Sequence, residues 1–338
     1  MPNSEITLRD VYLASRRVRL LVQRTPLIES RWLSQRTGEA VYLKAECLQV
    51  TGSFKVRGAT NKIAILTDEE KARGIIAVSS GNHGRAVSYV ANRLGIKATI
   101  CVSDRVPENK REGIRRCGAQ LVVEGHSYEE AEEVARCLQR ERGLTRVDPF
   151  DDPHVIAGQG TVGLELIEDL PEVRTVLVPL SAGGLMSGVA IALKSADPSL
   201  RLIGVSMERA AVMAESLRVG RLVELAEEST LADGLAGAIP LDNRYTFRLC
   251  QRYVDETVLV SETEIAQAMA SALEEHRLVV EGAGAVGIAA LMHEKVTRLE
   301  GPIAVLLSGA NVDLPLLLKI ASRQSSSDLQ SKPFQGGG

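Results

Sequence analysis

The sequence predicts an α/β protein built on parallel sheets covered by helices on both faces. Three observations carry that expectation: short, continuously apolar β-branched runs recur along the chain, amphipathic stretches separate them, and no repeat of fixed period replaces the alternation. The runs expected as strands are Val41–Ala45, Ile75–Ser79, Ala98–Val102, Gln120–Val123, Thr175–Leu180, Leu202–Ser206, Thr257–Val260 and Ile303–Ser308. Between them, Gly84–Leu94, Ser127–Arg142, Gly184–Ser195, Glu262–Glu275 and Glu281–His293 show helical patterning.

The 338 residues, 45% of them hydrophobic, suffice for about two domains with packed cores. The stretch 74–148 reads as a small, mobile β-α unit inserted into a larger domain made of 1–73 and 149–321. From residue 322 the chain turns to Ser, Gln, Lys and Gly, so 322–338 is expected to be a disordered tail. A net charge of −3, 3% aromatic residues and no basic block argue against a nucleic-acid surface. No apolar run approaches the roughly 20 residues that cross a bilayer, so no membrane role is expected. The five cysteines (Cys47, Cys101, Cys117, Cys137 and Cys250) form no Cys-x-x-Cys pair and are odd in number, which favours a reduced, cytoplasmic compartment.

Three segments could carry chemistry. Thr51-Gly52-Ser53-Phe54-Lys55-Val56-Arg57-Gly58 brackets a lone lysine with glycines, ahead of the helical stretch Ala59–Leu66. Open α/β sheets bind ligands at their strand ends, where this lysine falls, although a surface lysine opening a helix has the same local context. Ser79-Ser80-Gly81-Asn82-His83-Gly84 leaves a strand and enters a helix. Its N–H groups and hydroxyls suit an anion, or serve simply as a helix cap. Ser181-Ala182-Gly183-Gly184-Leu185 is a second strand-to-helix turn, in which glycine permits close approach of a phosphate or merely a tight connection. It matches neither the nucleoside-triphosphate nor the dinucleotide glycine fingerprint.

Taken in this order, the segments resemble the β-family, or fold-type II, of pyridoxal-phosphate enzymes, most nearly the threonine and serine dehydratases. The resemblance runs from Arg24-Thr25-Pro26-Leu27 to Ser308-Gly309-Ala310-Asn311. It implies a two-domain, tryptophan synthase β-like fold with the active site between the domains. It also implies pyridoxal 5′-phosphate as cofactor, an amino acid as substrate, and a homodimer or homotetramer. By the same resemblance Lys55 holds the cofactor as a Schiff base and acts as base, with Phe54 beside the ring. Asn82 meets the 3′-oxygen, and Ser79, Ser80, Gly81, Asn82 and His83 close on the substrate carboxylate. Ser181, Ala182, Gly183, Gly184 and Leu185 hold the phosphate, Ser308 meets the pyridine nitrogen, and Glu281 and Gly234 line the ring edge. The implied reaction eliminates the β-hydroxyl of L-threonine, L-serine or a related amino acid, giving a 2-oxo acid and ammonia.

The chain departs from the family's pattern in places. The phosphate turn begins Ser181-Ala182 where dehydratases usually have glycines. Gly204-Val205 is followed by Ser206-Met207-Glu208, which displaces the carboxylate that ligates a metal in serine racemases, so no metal site is expected. Ser80 matches the opposite-face acid/base of those racemases, making a racemase or β-replacement enzyme the alternative. The chain ends soon after Ile320-Ala321, so the regulatory domain of biosynthetic threonine dehydratases is not expected. Three stretches, Gly204–Arg209, Leu241–Phe247 and Val279–Gly287, look like the threonine-dehydratase-like proteins of hydroxyectoine utilisation. Ser80 and Gly234 stand where that subgroup commonly has Thr and Ser.

Overall fold

The computed structural model describes residues 5–331. Its strands are β1 (Leu27–Glu29), β2 (Val41–Lys44), β3 (Ile75–Val78), β4 (Ala98–Val102), β5 (Gln120–Val123), β6 (Thr145–Arg146), β7 (Thr175–Pro179), β8 (Arg201–Met207), β9 (Glu256–Val260) and β10 (Ile303–Leu306). They form a six-stranded sheet in the order β1-β2-β10-β7-β8-β9 and a four-stranded sheet in the order β5-β4-β3-β6. Every pairing is parallel except β1 with β2.

Every residue of β3, β4, β7 and β10 is buried, because helices cover both faces; this is why these strands read as uninterrupted apolar runs. Strands β1 and β6, with three and two residues, are too short to show a pattern and did not figure among the expected strands. The fold is the α/β architecture with parallel-rich sheets that the sequence predicts.

Two expectations change. The helix expected at Ala59–Leu66 spans Lys55–Ala64, so Lys55 is its first residue and not part of the preceding loop. Its Val56, Ala59 and Ile63 share a core with Ile75, Ala77 and Ile100 of β3 and β4. The packing of the small sheet therefore reaches back across residue 73 to this helix. At the other end, the helix Leu314–Ser331 continues past residue 322, where the ordered chain was expected to stop. Leu317 and Ile320 anchor its first turns in the core, and each further residue then adds a backbone hydrogen bond. The rest of the expected tail, 332–338, lies outside the described residues. No helix among the described residues is long and apolar enough to cross a membrane.

Candidate active site

Four chain segments that leave strand C-terminal ends supply the site: those after β2, β3, β7 and β10. The segment after β2 reaches Lys55. It is stitched to the one after β10, since Phe54 N donates to Ser308 O at 3.1 Å and Ser53 pairs with Gly309 in an antiparallel bridge. The Lys55 amine donates to Pro149 O at 2.8 Å and lies 5.3 Å from the centre of the Phe54 ring. Burial pushes this amine down to about 8, against the opposing pull of the Asp148 and Glu281 charges. A lysine there is partly unprotonated near neutral pH, as a nucleophile or base requires.

Two residues further on, Arg57 is fully buried and bonded on both sides. Its Nε and Nη2 donate to Glu46 at 2.8 and 2.7 Å, and Nη1 and Nη2 donate to Glu165 at 2.7 and 2.8 Å. Lys44 Nζ also donates to Glu165, at 2.6 Å, and Thr25 Oγ1 donates to Glu46 at 2.5 Å. This cluster ties the helix that begins at Lys55 to the helix Pro153–Asp169.

After β3, Ser79, Ser80, Gly81 and Asn82 are partly exposed, and Gly81 caps the helix Asn82–Arg93. Gly81 N donates to Ser79 Oγ at 3.3 Å, which curls the loop. His83 does not join the open loop. Its imidazole is buried, with Nε2 2.9 Å from the Val147 carbonyl, and burial together with the Lys55 charge pushes it down to about 3. The carbonyl can only accept, so Nε2 carries the proton and the ring is neutral. Only the main-chain amide of His83 is left for a carboxylate.

After β7, Ser181–Leu185 turns into the helix Gly184–Ala196. Gly183 has φ +90°, and a Cβ there would lie 2.7 Å from Cys250 Sγ. A Cβ on Gly184 would lie 2.9 Å from Phe150 Cα. Both glycines are thus required by what packs behind the turn, and their N–H groups open a helix N-terminus suited to a phosphate.

After β10, Ser308 is buried beside the Lys55 loop. Glu281 caps the helix Gly282–Met292 and accepts from Asn82 Nδ2 at 2.7 Å and from Asn311 N at 3.0 Å. Burial, then the Asp233 charge, push its carboxyl up to about 7. A Cβ on Gly234 would stand 3.7 Å from Glu281 Oε1, which places Gly234 at the same edge. Sequence reasoning gave Asn311 no role, yet its Nδ2 donates to Asn82 Oδ1 at 2.6 Å and to Thr51 O at 2.9 Å. Its position three residues beyond Ser308, just past a strand C-terminal end, was the available signal. Glu208, the displaced carboxylate, sits 3.7 Å from Lys295 Nζ.

These residues fit an aldehyde-bearing aromatic phosphate. Thr51 Oγ1 and Ser53 Oγ, on the loop into Lys55, are buried without a hydrogen-bond partner, a costly state that a polar ligand would relieve. A helix N-terminus and a lysine that deprotonates near neutrality complete the set. Comparison with known proteins agrees. The family model described as "Pyridoxal-phosphate dependent enzyme" matches residues 18–309. The L-threonine ammonia-lyase of Thermotoga maritima is 47% identical over 318 residues, covering 94% of this chain and 79% of that protein. Among solved structures, maize serine racemase superposes with a TM-score of 0.89 at 34% identity, covering 96% of this chain and 99% of that one. The processed form of threonine deaminase isoform 2 from Solanum lycopersicum superposes with a TM-score of 0.86 at 36% identity, covering 94% of this chain and 87% of that one. With its fold and most of its length in agreement, the chain belongs to the pyridoxal-phosphate dependent enzymes.

Proposed function

We propose that the chain is an ammonia-lyase that removes the β-hydroxyl of a hydroxy amino acid, namely L-threonine, L-serine or a hydroxyectoine-derived relative. The observation that carries this reading is the partly buried Lys55 amine, held by the Pro149 carbonyl on a segment stitched to Ser308. The cofactor, when bound, supplies an electron sink for the charge left at the α-carbon. The protein does the rest. Lys55 takes the α-proton, the turn Ser181–Leu185 holds the phosphate, and the hydroxyls and amides of 79–82 hold the substrate carboxylate. Ser308 would offer the pyridine nitrogen a neutral hydroxyl, which would not hold a proton there as a carboxylate would and would favour elimination over long-lived carbanion chemistry. Water leaves in the elimination and is taken up again in hydrolysis, so the net products are a 2-oxo acid and ammonia.

The names of relatives, an L-threonine ammonia-lyase and a threonine deaminase, support the reaction class. Support for the hydroxyectoine-derived substrate comes from the segment Leu241–Phe247 that resembles that subgroup. Its Asp242, Asn243 and Arg244 line a cavity of about 280 Å³ with Asp148 and Phe150, the chain neighbours of the Pro149 that holds Lys55. The unit 74–148 is part of the proposal, closing its 79–82 loop over the substrate. A second reading, racemisation, is favoured by Ser80, which stands partly exposed in that loop, and by the likeness to maize serine racemase.

The test is a panel of threonine, serine, hydroxyaspartate and hydroxyectoine-derived amino acids, scored for ammonia, 2-oxo acid and D-amino acid. Purified protein should be yellow, bleach with borohydride, and lose both colour and activity when Lys55 becomes Ala. Protein that stays colourless after incubation with pyridoxal phosphate would sink the proposal. D-Amino acid as the main product would select the racemase instead.

A further inference from the structure

Asn82 can serve a cofactor oxygen only if its NH2 end, not its carbonyl end, faces the site. An amide is nearly symmetric in shape, so shape alone does not choose the end; hydrogen-bonding neighbours must. Here they do so through a directed chain. Arg85 Nη1 donates to Asn311 Oδ1 at 2.9 Å, Asn311 Nδ2 donates to Asn82 Oδ1 at 2.6 Å, and Asn82 Nδ2 donates to Glu281 at 2.7 Å.

The two ends fix the direction. A guanidinium only donates, so the Asn311 atom facing it is an oxygen. The Thr51 carbonyl only accepts, so the Asn311 atom 2.9 Å from it is the nitrogen. Asn82 is then left with its oxygen toward Asn311 and its NH2 toward the site. We propose that Arg85 and Asn311 are positioning residues that lock Asn82 with its donor end toward the cofactor. This rests on the function proposed above.

A second, independent observation supports the relay. Each of three members occupies space that only a missing side chain leaves open. A Cβ on Gly113 would lie 2.6 Å from Arg85 Nη2, one on Gly52 would lie 2.8 Å from Asn311 Oδ1, and one on Gly309 would lie 2.4 Å from Glu281 Oε1. Gly113 is inside the helix Glu108–Arg116, where alanine is the better helix former. The atom it would strike is the far end of a flexible side chain, so the arginine would yield and the backbone would not. Arg85 makes no ion pair among the described residues, which leaves its bond to Asn311 as the contact that explains its placement.

The decisive variant is therefore Gly113→Ala, with Arg85→Met and Arg85→Lys beside it. Each protein is titrated with pyridoxal phosphate, the position and pH response of the bound chromophore's absorbance band are recorded, and the melting temperature is taken before cofactor is added, because bound cofactor itself raises it. Gly113→Ala and Arg85→Met should weaken cofactor affinity about tenfold, the size of one hydrogen bond lost, and shift the band at unchanged melting temperature. Arg85→Lys, which keeps a donor, should restore most of both. The relay is wrong if Gly113→Ala and Arg85→Met bind cofactor and absorb like the unmodified chain. It is equally wrong if affinity falls only in step with the melting temperature. An unmodified chain that binds no cofactor would sink the proposed function itself, whereas a yellow, active one with unmoved variants would sink only the relay.

Discussion

The cluster around Arg57 and the relay from Arg85 each give an arginine to the surroundings of Lys55, yet they are wired differently. Arg57 is closed in by two carboxylates and Lys44 adds a further bond to one of them, so nearly every partner carries a full charge. Arg85 meets a neutral amide, passes through a second, and ends on one carboxylate that titrates near 7. Burial alone would raise the Glu46 carboxyl, but the charge and hydrogen bonds of Arg57 hold it below its ordinary value. Glu281 has no such counter-charge within bonding distance among the described residues, and burial wins. The difference separates two tasks. A saturated ion cluster stays ionised and holds a helix still, whereas a relay through amides conveys orientation and leaves its last group able to change protonation state.

The largest break in this contrast is Arg57→Ala. It leaves Glu46 and Glu165 facing each other across a buried space with only Lys44 nearby, and removing one member of a buried ion cluster costs about 3–5 kcal/mol. Urea unfolding should show a loss of that order. A loss under about 1 kcal/mol, the scale of an exposed pair, would show that the cluster does not anchor the helix that begins at Lys55.

How much of this could be read from the chain alone depended on distance in sequence. Strands β4 and β5 fell where expected, and for β4 the reason is that a strand buried on both faces is apolar at nearly every step. The turn Ser181–Leu185 was legible as a turn because glycines next to a strand end report a local need of the backbone, whereas the local context of Lys55 fitted a surface lysine equally well and only its order among the other segments singled it out. The helix Pro153–Asp169 was harder. It was not among the expected helices: it is buried on most of its surface and carries Gly158, Gly160 and Gly163, so it lacks an amphipathic pattern. Their reason is tertiary: a Cβ on Gly160 would lie 2.8 Å from Gly188 O. His83 was placed on the right loop but its direction was not, since turning inward depends on Val147, a residue 64 positions away. The relay was invisible for the same reason, as it joins residues 82, 281 and 311.

A smaller and sharper effect comes from making one chemical change at both carboxylates. Glu46→Gln removes charge from the saturated cluster and leaves the buried Arg57 fork partly unpaired, which should cost about 1.5–3 kcal/mol at neutral pH. Glu281→Gln should cost less, because an amide oxygen can still accept from Asn82 or Asn311. Their pH dependences should run in opposite directions. The Glu46 carboxyl lies below its unfolded value when folded, so the advantage of the unmodified chain over Glu46→Gln is present above the unfolded pKa and shrinks as pH falls through the folded one. The Glu281 carboxyl is raised to about 7, so the folded chain binds the extra proton below that pH. The advantage over Glu281→Gln therefore shrinks as pH rises from about 4.5 towards about 7. Taking each unmodified-minus-variant difference cancels other groups such as His83, which titrate equally in both chains. Two differences that slope the same way would show that Glu281 is held ionised like Glu46, and that the contrast between cluster and relay is one of position alone.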